Sequence, residues 1–366
     1  MISCCASPAT PRQLTVNAMT MPDRGEMLTF ELEEVYNDAL LNDAYQRLAH
    51  GQAILAKAHA GGLETGSAID PDLAKDVRQG LTDLIEGLCE RRINSSDQEW
   101  HSFVSICLRH PLRELLHQDP FTLRAFSKPR GYAGDAELLD FIYGVEEQWD
   151  NQPAVASLSP FARALFDYTT RIPATEAVRA RREFVAHLLD EVANEIRHPH
   201  VLSIAAGHLR EAILTAAIKR RKFGRFVALD SDTQSLEVVE KSYGRFGVEI
   251  LPASVRQILT HKVEFGQFDL VYSTGLFDYV QQSMAQRLTE CMFGLLKPGG
   301  RLVVANFLPG IPDVGYMESY MAWELIYRNR HEMLEMSMKI PEAEIRDVRI
   351  FSDENQHIIF LQITRR

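Results

Sequence analysis

The sequence predicts an α/β protein, in which an all-α amino-terminal region precedes a doubly wound, mostly parallel sheet of seven strands. Three observations predict it. Apolar residues recur at three- and four-residue spacing from about Leu28 to His117, the period of an amphipathic helix. From Val201 that rhythm gives way to short apolar runs of strand length alternating with helical stretches. The first run enters a helix through Ala205-Ala206-Gly207, and the second ends on the acid Asp230.

Taken in order, Leu28, Leu32, Val35 and Tyr36 open the first helical pattern, and Leu40, Leu41, Tyr45 and Leu48 continue it as far as Gly61–Gly62. Pro71 suits the first turn of a second helix carrying Leu73, Val77, Leu81, Leu84, Ile85 and Leu88. Ser96 stands three positions before Glu99, a capping box ahead of Trp100, Phe103, Val104 and Leu108. The expected strands are Val201–Ala205, Phe226–Asp230, Val248–Leu251, Leu270–Ser273 and Arg301–Asn306, then Val348–Phe351 and Ile358–Ile363 as a hairpin at the sheet's edge. The layout expected is a loose tail over 1–25, a helical lid or substrate domain over 26–177 and a ligand-binding sheet domain over 178–366.

Bulk properties narrow the function classes. A chain of 366 residues with 46% apolar content can bury a large core. A formal net charge of −11 opposes a phosphate backbone, and the cluster Lys219, Arg220, Arg221, Lys222 and Arg225 falls where a helix should end, so nucleic acid is not expected as a partner. Cys4, Cys5, Cys89, Cys107 and Cys291 are odd in number and form no C-x-x-C pair. They suggest a reducing cytoplasm rather than a disulfide or zinc framework. Met1–Asp23 lacks an apolar run long enough for a signal core or a membrane span. No H-x-x-x-H or carboxylate–histidine cluster suggests a metal. The expected partner is a small-molecule substrate, and a homodimer through the helical half is compatible with the sequence.

The segment Val201-Leu202-Ser203-Ile204-Ala205-Ala206-Gly207-His208-Leu209 is a strand turning into a helix, which lets a ligand approach backbone N–H groups closely. Asp230 at the end of the second strand can accept hydrogen bonds from ribose hydroxyls. Phe268–Gly275 forms the fourth strand and its turn, and Leu296-Lys297-Pro298-Gly299-Gly300-Arg301 leads into the fifth. This ordered set resembles the class I S-adenosylmethionine (SAM) dependent methyltransferases, whose sheet is Rossmann-like and seven-stranded. The family's first turn reads acidic-x-Gly-x-Gly-x-Gly, whereas this chain has Ser203-x-Ala205-x-Gly207-x-Leu209. By that resemblance SAM is the cosubstrate, and Ser203, Ala205 and Gly207 contact its methionine portion. Asp230, followed by Ser231, holds the ribose; Ser254 and Val255 flank the adenine; Thr274 and Gly275 line the floor near the sulfonium.

Outside this pattern, Lys128-Pro129-Arg130-Gly131-Tyr132-Ala133-Gly134-Asp135 reads either as an interhelical loop or as a lid. As a lid it would turn Tyr132 and Asp135 toward the reacting centre, the phenol as donor or π face and the carboxylate as base. Arg179, Arg181 and Arg182 suit a carboxylate or a solvated helix face, with Arg179 and Arg182 on one side of the helix and Arg179 a candidate for the SAM carboxylate. Tyr316, Met317, Tyr320, Met321, Trp323 and Tyr327 read as core or as an apolar acceptor pocket. The Lys-Pro-Arg-Gly-Tyr-Ala-Gly-Asp segment together with Leu-Ser-Ile-Ala-Ala-Gly-His is similar to a bacterial subgroup with a helical amino-terminal region. That subgroup includes enzymes that esterify 3-hydroxy fatty acids and enzymes that cyclise SAM to azetidine-2-carboxylate, releasing methylthioadenosine. The resemblance therefore implies methyl transfer to a small acid, with SAM cyclisation or SAM sensing without turnover as alternatives.

Overall fold

The computed structural model describes residues 37–60, 74–144, 153–260, 262 and 266–366. The tail over 1–25, the opening of the first helical pattern, Gly61–Gly62, Pro71 and Leu73 lie outside the described residues.

The amino-terminal region is helical, as its periodicity predicts. Helix α1 (Ala39–Ala60) buries Leu41, Ala44, Leu48 and Leu55 on one stripe, and α2 (Lys75–Asn94) buries Val77, Leu81, Leu84, Ile85 and Leu88. Two glycines allow these helices to approach: a Cβ on Gly51 would lie 2.6 Å from Val77 Cγ2, and one on Gly87 would lie 2.5 Å from Leu40 Cδ1. Ser96 caps α3 (Asp97–Arg109) in the reciprocal arrangement with Glu99. Then follow α4 (Leu112–Leu116), α5 (Pro120–Ser127), α6 (Ala136–Tyr143), α7 (Pro153–Ala156), α8 (Pro160–Thr169) and the long α9 (Pro173–Glu195).

The sheet contains β1 (His200–Ile204), β2 (Arg225–Asp230), β3 (Val248–Pro252), β4 (Phe268–Ser273), β5 (Leu296–Phe307), β6 (Ile345–Ser352) and β7 (Ile358–Arg365). All seven expected strands are present, in the order β3-β2-β1-β4-β5-β7-β6. β1 to β5 are parallel and β7 runs antiparallel to both neighbours. The hairpin expected at the edge is present, with β6 at that rim and β7 between β6 and β5. The burial pattern explains this: β7 is almost wholly buried, whereas β6 is half-exposed along its length. Between the strands lie α10 (Glu211–Leu214), α11 (Ala216–Lys219), α12 (Thr233–Tyr243), α13 (Val255–Leu259), α14 (Gln282–Gly294), α15 (Val314–Tyr320) and α16 (Arg330–Glu335).

Alternation along the strands divides the interior in two. Val201, Phe226, Ala228, Leu270, Tyr272, Val303 and Ala305 face a core shared with the amino-terminal helices and α9. Leu202, Ile204, Val227, Leu229, Val271, Leu302 and Val304 face a second core, completed by α14 and by Met333 and Met336. The helical region is thus continuous with one face of the sheet. Helix α15 reinforces the union, since a Cβ on Gly315 would lie 2.5 Å from the Leu88 carbonyl of α2. Its stripe Tyr316, Met317, Tyr320, Met321 and Trp323 is fully buried, and the Tyr316 hydroxyl lies 2.9 Å from that of Thr122. Those residues are core rather than the lining of an acceptor pocket. Among the described residues no helix is long and apolar enough to cross a membrane.

Candidate active site

The ends of β1, β2, β3 and β4 carry the residues singled out from the sequence, as in any open parallel sheet where successive strands point the same way. After β1 the chain makes a turn through Ala205, Gly207 and Leu209, with φ of 54°, 52° and 51°. Every second residue is therefore left-handed, at the three positions where glycines are expected from the family pattern. Only one of them is glycine. A left-handed Ala or Leu costs about 1–2 kcal/mol, so the turn is strained and something must hold it.

Three contacts do so. The Ala206 N–H donates to the Leu229 carbonyl at 3.0 Å. The Gly207 N–H donates to Asp230 Oδ2 at 2.8 Å, tying the turn to the next strand. The third contact comes from the helical region: Asp140 on α6 accepts from His208 Nδ1 at 2.8 Å and from Arg210 Nε and Nη2 at 2.6 Å each. All three side chains of this network are buried. Burial alone would raise the Asp140 pKa, but Arg210 and His208 outweigh it and hold the carboxyl below its ordinary range.

Asp230 ends β2 with both oxygens aimed at backbone donors, since Oδ1 accepts from the Asp232 N–H at 2.9 Å. Each oxygen retains a lone pair, which suits a vicinal diol. Burial raises the Asp230 pKa, while the N–H groups of Asp232 and Gly207 oppose the rise. Ser231 follows directly. On the next strand end the Ala253 N–H donates to the Asp230 carbonyl at 3.0 Å. This brings Ser254 and Val255 beside it, Ser254 capping α13 with Gln257 as its reciprocal partner.

Ser203, Ala205, Gly207, Thr274 and Gly275 line one cavity at the switch between β1 and β4. Arg181, Tyr143, Glu211 and Tyr272 line the same cavity. Arg179 does not: its guanidinium donates to the Thr170 carbonyl at the end of α8. Of the three arginines it is Arg181 that faces inward, with Nη2 3.8 Å from where a Gly275 Cβ would stand, while Arg182 stacks 4.4 Å over the Tyr143 ring. The pairing of Arg179 with Arg182 on one side of the helix therefore creates no joint site.

The loop from Lys128 to Asp135 does reach the strand ends. Arg130 donates to Asp232 at 2.7 Å and to the Ser235 hydroxyl at 2.8 Å, linking the loop to the segment after Asp230. Burial first, then the Asp230, Asp135 and Asp232 carboxylates, raise the Tyr132 pKa, so this phenol stays protonated beside Asp230. Tyr132 also meets Tyr279 edge-on, with ring centroids 6.1 Å apart, and the Trp323 indole donates to the Tyr279 hydroxyl at 2.8 Å. Asp135 has a different setting. It is fully buried, takes both oxygens to Arg124 at 2.9 and 2.8 Å, and caps α6 through the Leu138 N–H. Held by these three donors, Asp135 fixes the start of the helix that carries Asp140. Among the described residues no group of three His, Cys, Asp or Glu is arranged to hold a metal ion.

Residues 204–304 match the family described as a methyltransferase domain. No curated protein matches the chain. Among solved structures, a possible exported protein from Bordetella parapertussis is similar over 89% of this chain and 97% of its own, with a TM-score of 0.50 and 15% identity. The N-methyltransferase NodS from Bradyrhizobium japonicum, in complex with S-adenosylhomocysteine, covers 53% of this chain and 89% of its own, with a TM-score of 0.38 and 11% identity. A magnesium protoporphyrin IX methyltransferase from Synechocystis, also with S-adenosylhomocysteine bound, covers 53% and 87%, with a TM-score of 0.40 and 11% identity. The strand order and the family match over residues 204–304 agree with the Rossmann-like fold of a methyltransferase domain.

Proposed function

We propose that this chain transfers a methyl group from SAM to a small-molecule acceptor whose nucleophile is a carboxylate, such as that of a hydroxy fatty acid. The observation that carries the reading is the turn after β1, which keeps three left-handed residues and its link to Asp230 although two of the three are not glycine. Strain of that kind persists where the surroundings enforce it, and here a buried ion network does. Bound SAM supplies an electrophilic methyl on a sulfonium, so the protein's contribution is alignment and the exclusion of water. Asp230 orients a ribose, and Thr274 and Gly275 shape the floor beneath the reacting centre. A carboxylate acceptor is already nucleophilic at neutral pH, which agrees with the surroundings: His208 is bound to Asp140, and the Tyr132 phenol is held protonated.

A second reading, cyclisation of SAM by its own amine, is favoured by the paired rings of Tyr132 and Tyr279 beside the strand ends. An aromatic face can hold a sulfonium cation without any second substrate. Mass spectrometry of the purified chain with SAM alone, then with 3-hydroxy fatty acids, separates these readings. S-adenosylhomocysteine appearing only with the acid is expected. Methylthioadenosine and azetidine-2-carboxylate from SAM alone would replace methyl transfer with cyclisation. Bound SAM without either product would leave a sensor.

A further inference from the structure

The cavity after β1 holds two charged groups of opposite sign that the protein itself leaves incompletely paired. Glu211, the first residue of α10, accepts a hydrogen bond from the Tyr272 hydroxyl at 2.7 Å. Tyr272 stands opposite Ser203 in the β1–β4 register, so the carboxylate lies beside the end of β1. Burial raises the Glu211 pKa, opposed by the Tyr272 hydroxyl and by the positive charges of Arg181 and Arg182. Arg181 reaches the same cavity from α9. Its side chain is 7% exposed, and its one ion pair among the described residues, with Asp278, is long at 3.8 Å. Among the described residues no ion pair joins Arg181 to Glu211. A buried guanidinium and a half-buried carboxylate in one cavity, each short of a close countercharge, complement a ligand that carries both an ammonium and a carboxylate.

We infer that Glu211 and Arg181 form a clamp for the amino-acid end of the cosubstrate, Glu211 binding the α-ammonium and Arg181 the α-carboxylate. The inference rests on SAM as cosubstrate. It explains how the chain manages with a neutral hydroxyl at Ser203: the negative charge enters the same space from the helix instead of the strand. It also gives Tyr272 a positioning role, since its hydroxyl fixes which way the Glu211 carboxylate faces.

The test is calorimetric titration of the full chain with three probes: S-adenosylhomocysteine, its decarboxylated analogue and its deaminated analogue. Glu211→Gln retains an oxygen for the Tyr272 hydroxyl and should keep the fold. It is expected to weaken S-adenosylhomocysteine and the decarboxylated amine by about tenfold to a hundredfold, while the deaminated acid stays within about twofold. Arg181→Met is expected to give the reverse selectivity, weakening S-adenosylhomocysteine and the deaminated acid but not the amine. If either variant weakens all three probes alike, or none, the clamp is overturned while the cosubstrate stands. If the unaltered chain binds none of the three, the cosubstrate reading itself fails, and the clamp with it.

Discussion

Two neighbouring regions at the strand ends are built on different physical principles. The end at the first turn relies on enforced backbone and buried charge: left-handed Ala205 and Leu209, and the Asp140–His208–Arg210 network behind them. The end at β2 and β3 relies on ordinary local chemistry. There Asp230 accepts two backbone N–H groups, and Ser254 caps a short helix with Gln257. The first construction requires a residue from the helical region, Asp140, seventy positions before Arg210. The second is assembled almost wholly from neighbours along the chain and the adjacent strand. The comparison teaches that a glycine-poor turn can keep its shape when distant charges hold it, and that the amino-terminal helices are then part of the site.

Removing the enforcing carboxylate should have the largest effect. Asp140→Ala leaves Arg210 and His208 buried without a countercharge, and a loss of about 3–5 kcal/mol is expected in urea unfolding. At the other end Asp230→Asn is expected to weaken S-adenosylhomocysteine by at least about tenfold in titration while changing stability far less, because one acceptor for a backbone N–H remains. The two carboxylates should also differ in the sign of their pH dependence. Asp140 has a lowered folded pKa, so its stabilisation is present above the ordinary carboxylate range and lost as pH falls through the folded value. Asp230 has a raised pKa, so the folded state loses stability as pH rises from the ordinary carboxylate range through the folded value. Unfolding measured from about pH 3 to about pH 8 should therefore show Asp140→Asn falling further behind the parent as pH rises, and Asp230→Asn gaining on it. The smallest effect expected is Ala205→Gly, which relieves a left-handed alanine. It should raise stability by about 0.5–1 kcal/mol, less the added freedom of the unfolded chain. A loss of stability there would mean that the turn is not strained, and the contrast between the two ends would collapse.

Much of the fold was legible in the sequence. The inner strands are buried on both faces and read as unbroken apolar runs, such as Phe226–Leu229 and Leu302–Ala305. The capping box at Ser96 and the acid ending β2 are local patterns, so their positions followed from spacing alone. What remained hidden depends on distance. A hairpin pattern does not say which of its strands lies inside, and only the pairing with β5 gives that place to β7. Nothing in the identity of Ala205 or Leu209 announces a left-handed backbone. Glu211 reads as an ordinary acidic residue in a first helical turn until Tyr272, 61 positions later, is placed against it. Arg181 did carry a signal. It falls on the apolar stripe of α9 with Ala177, Val178, Val185 and Leu188, and a charge on such a stripe is buried. Asp135 drew attention by standing in an unusual loop, but its environment is settled by Arg124, eleven residues earlier.

The contact of Gly315 with the Leu88 carbonyl has a consequence for biogenesis. A ribosome delivers Leu88 long before it delivers α15, so the outer side of α2 must wait for a partner more than two hundred residues downstream. Until then Leu88 has only the local helices as cover, a state that exposes apolar surface and attracts chaperones. Closure of so large a loop also raises the contact order, which slows folding. The helical region is first to be made and among the last to be finished.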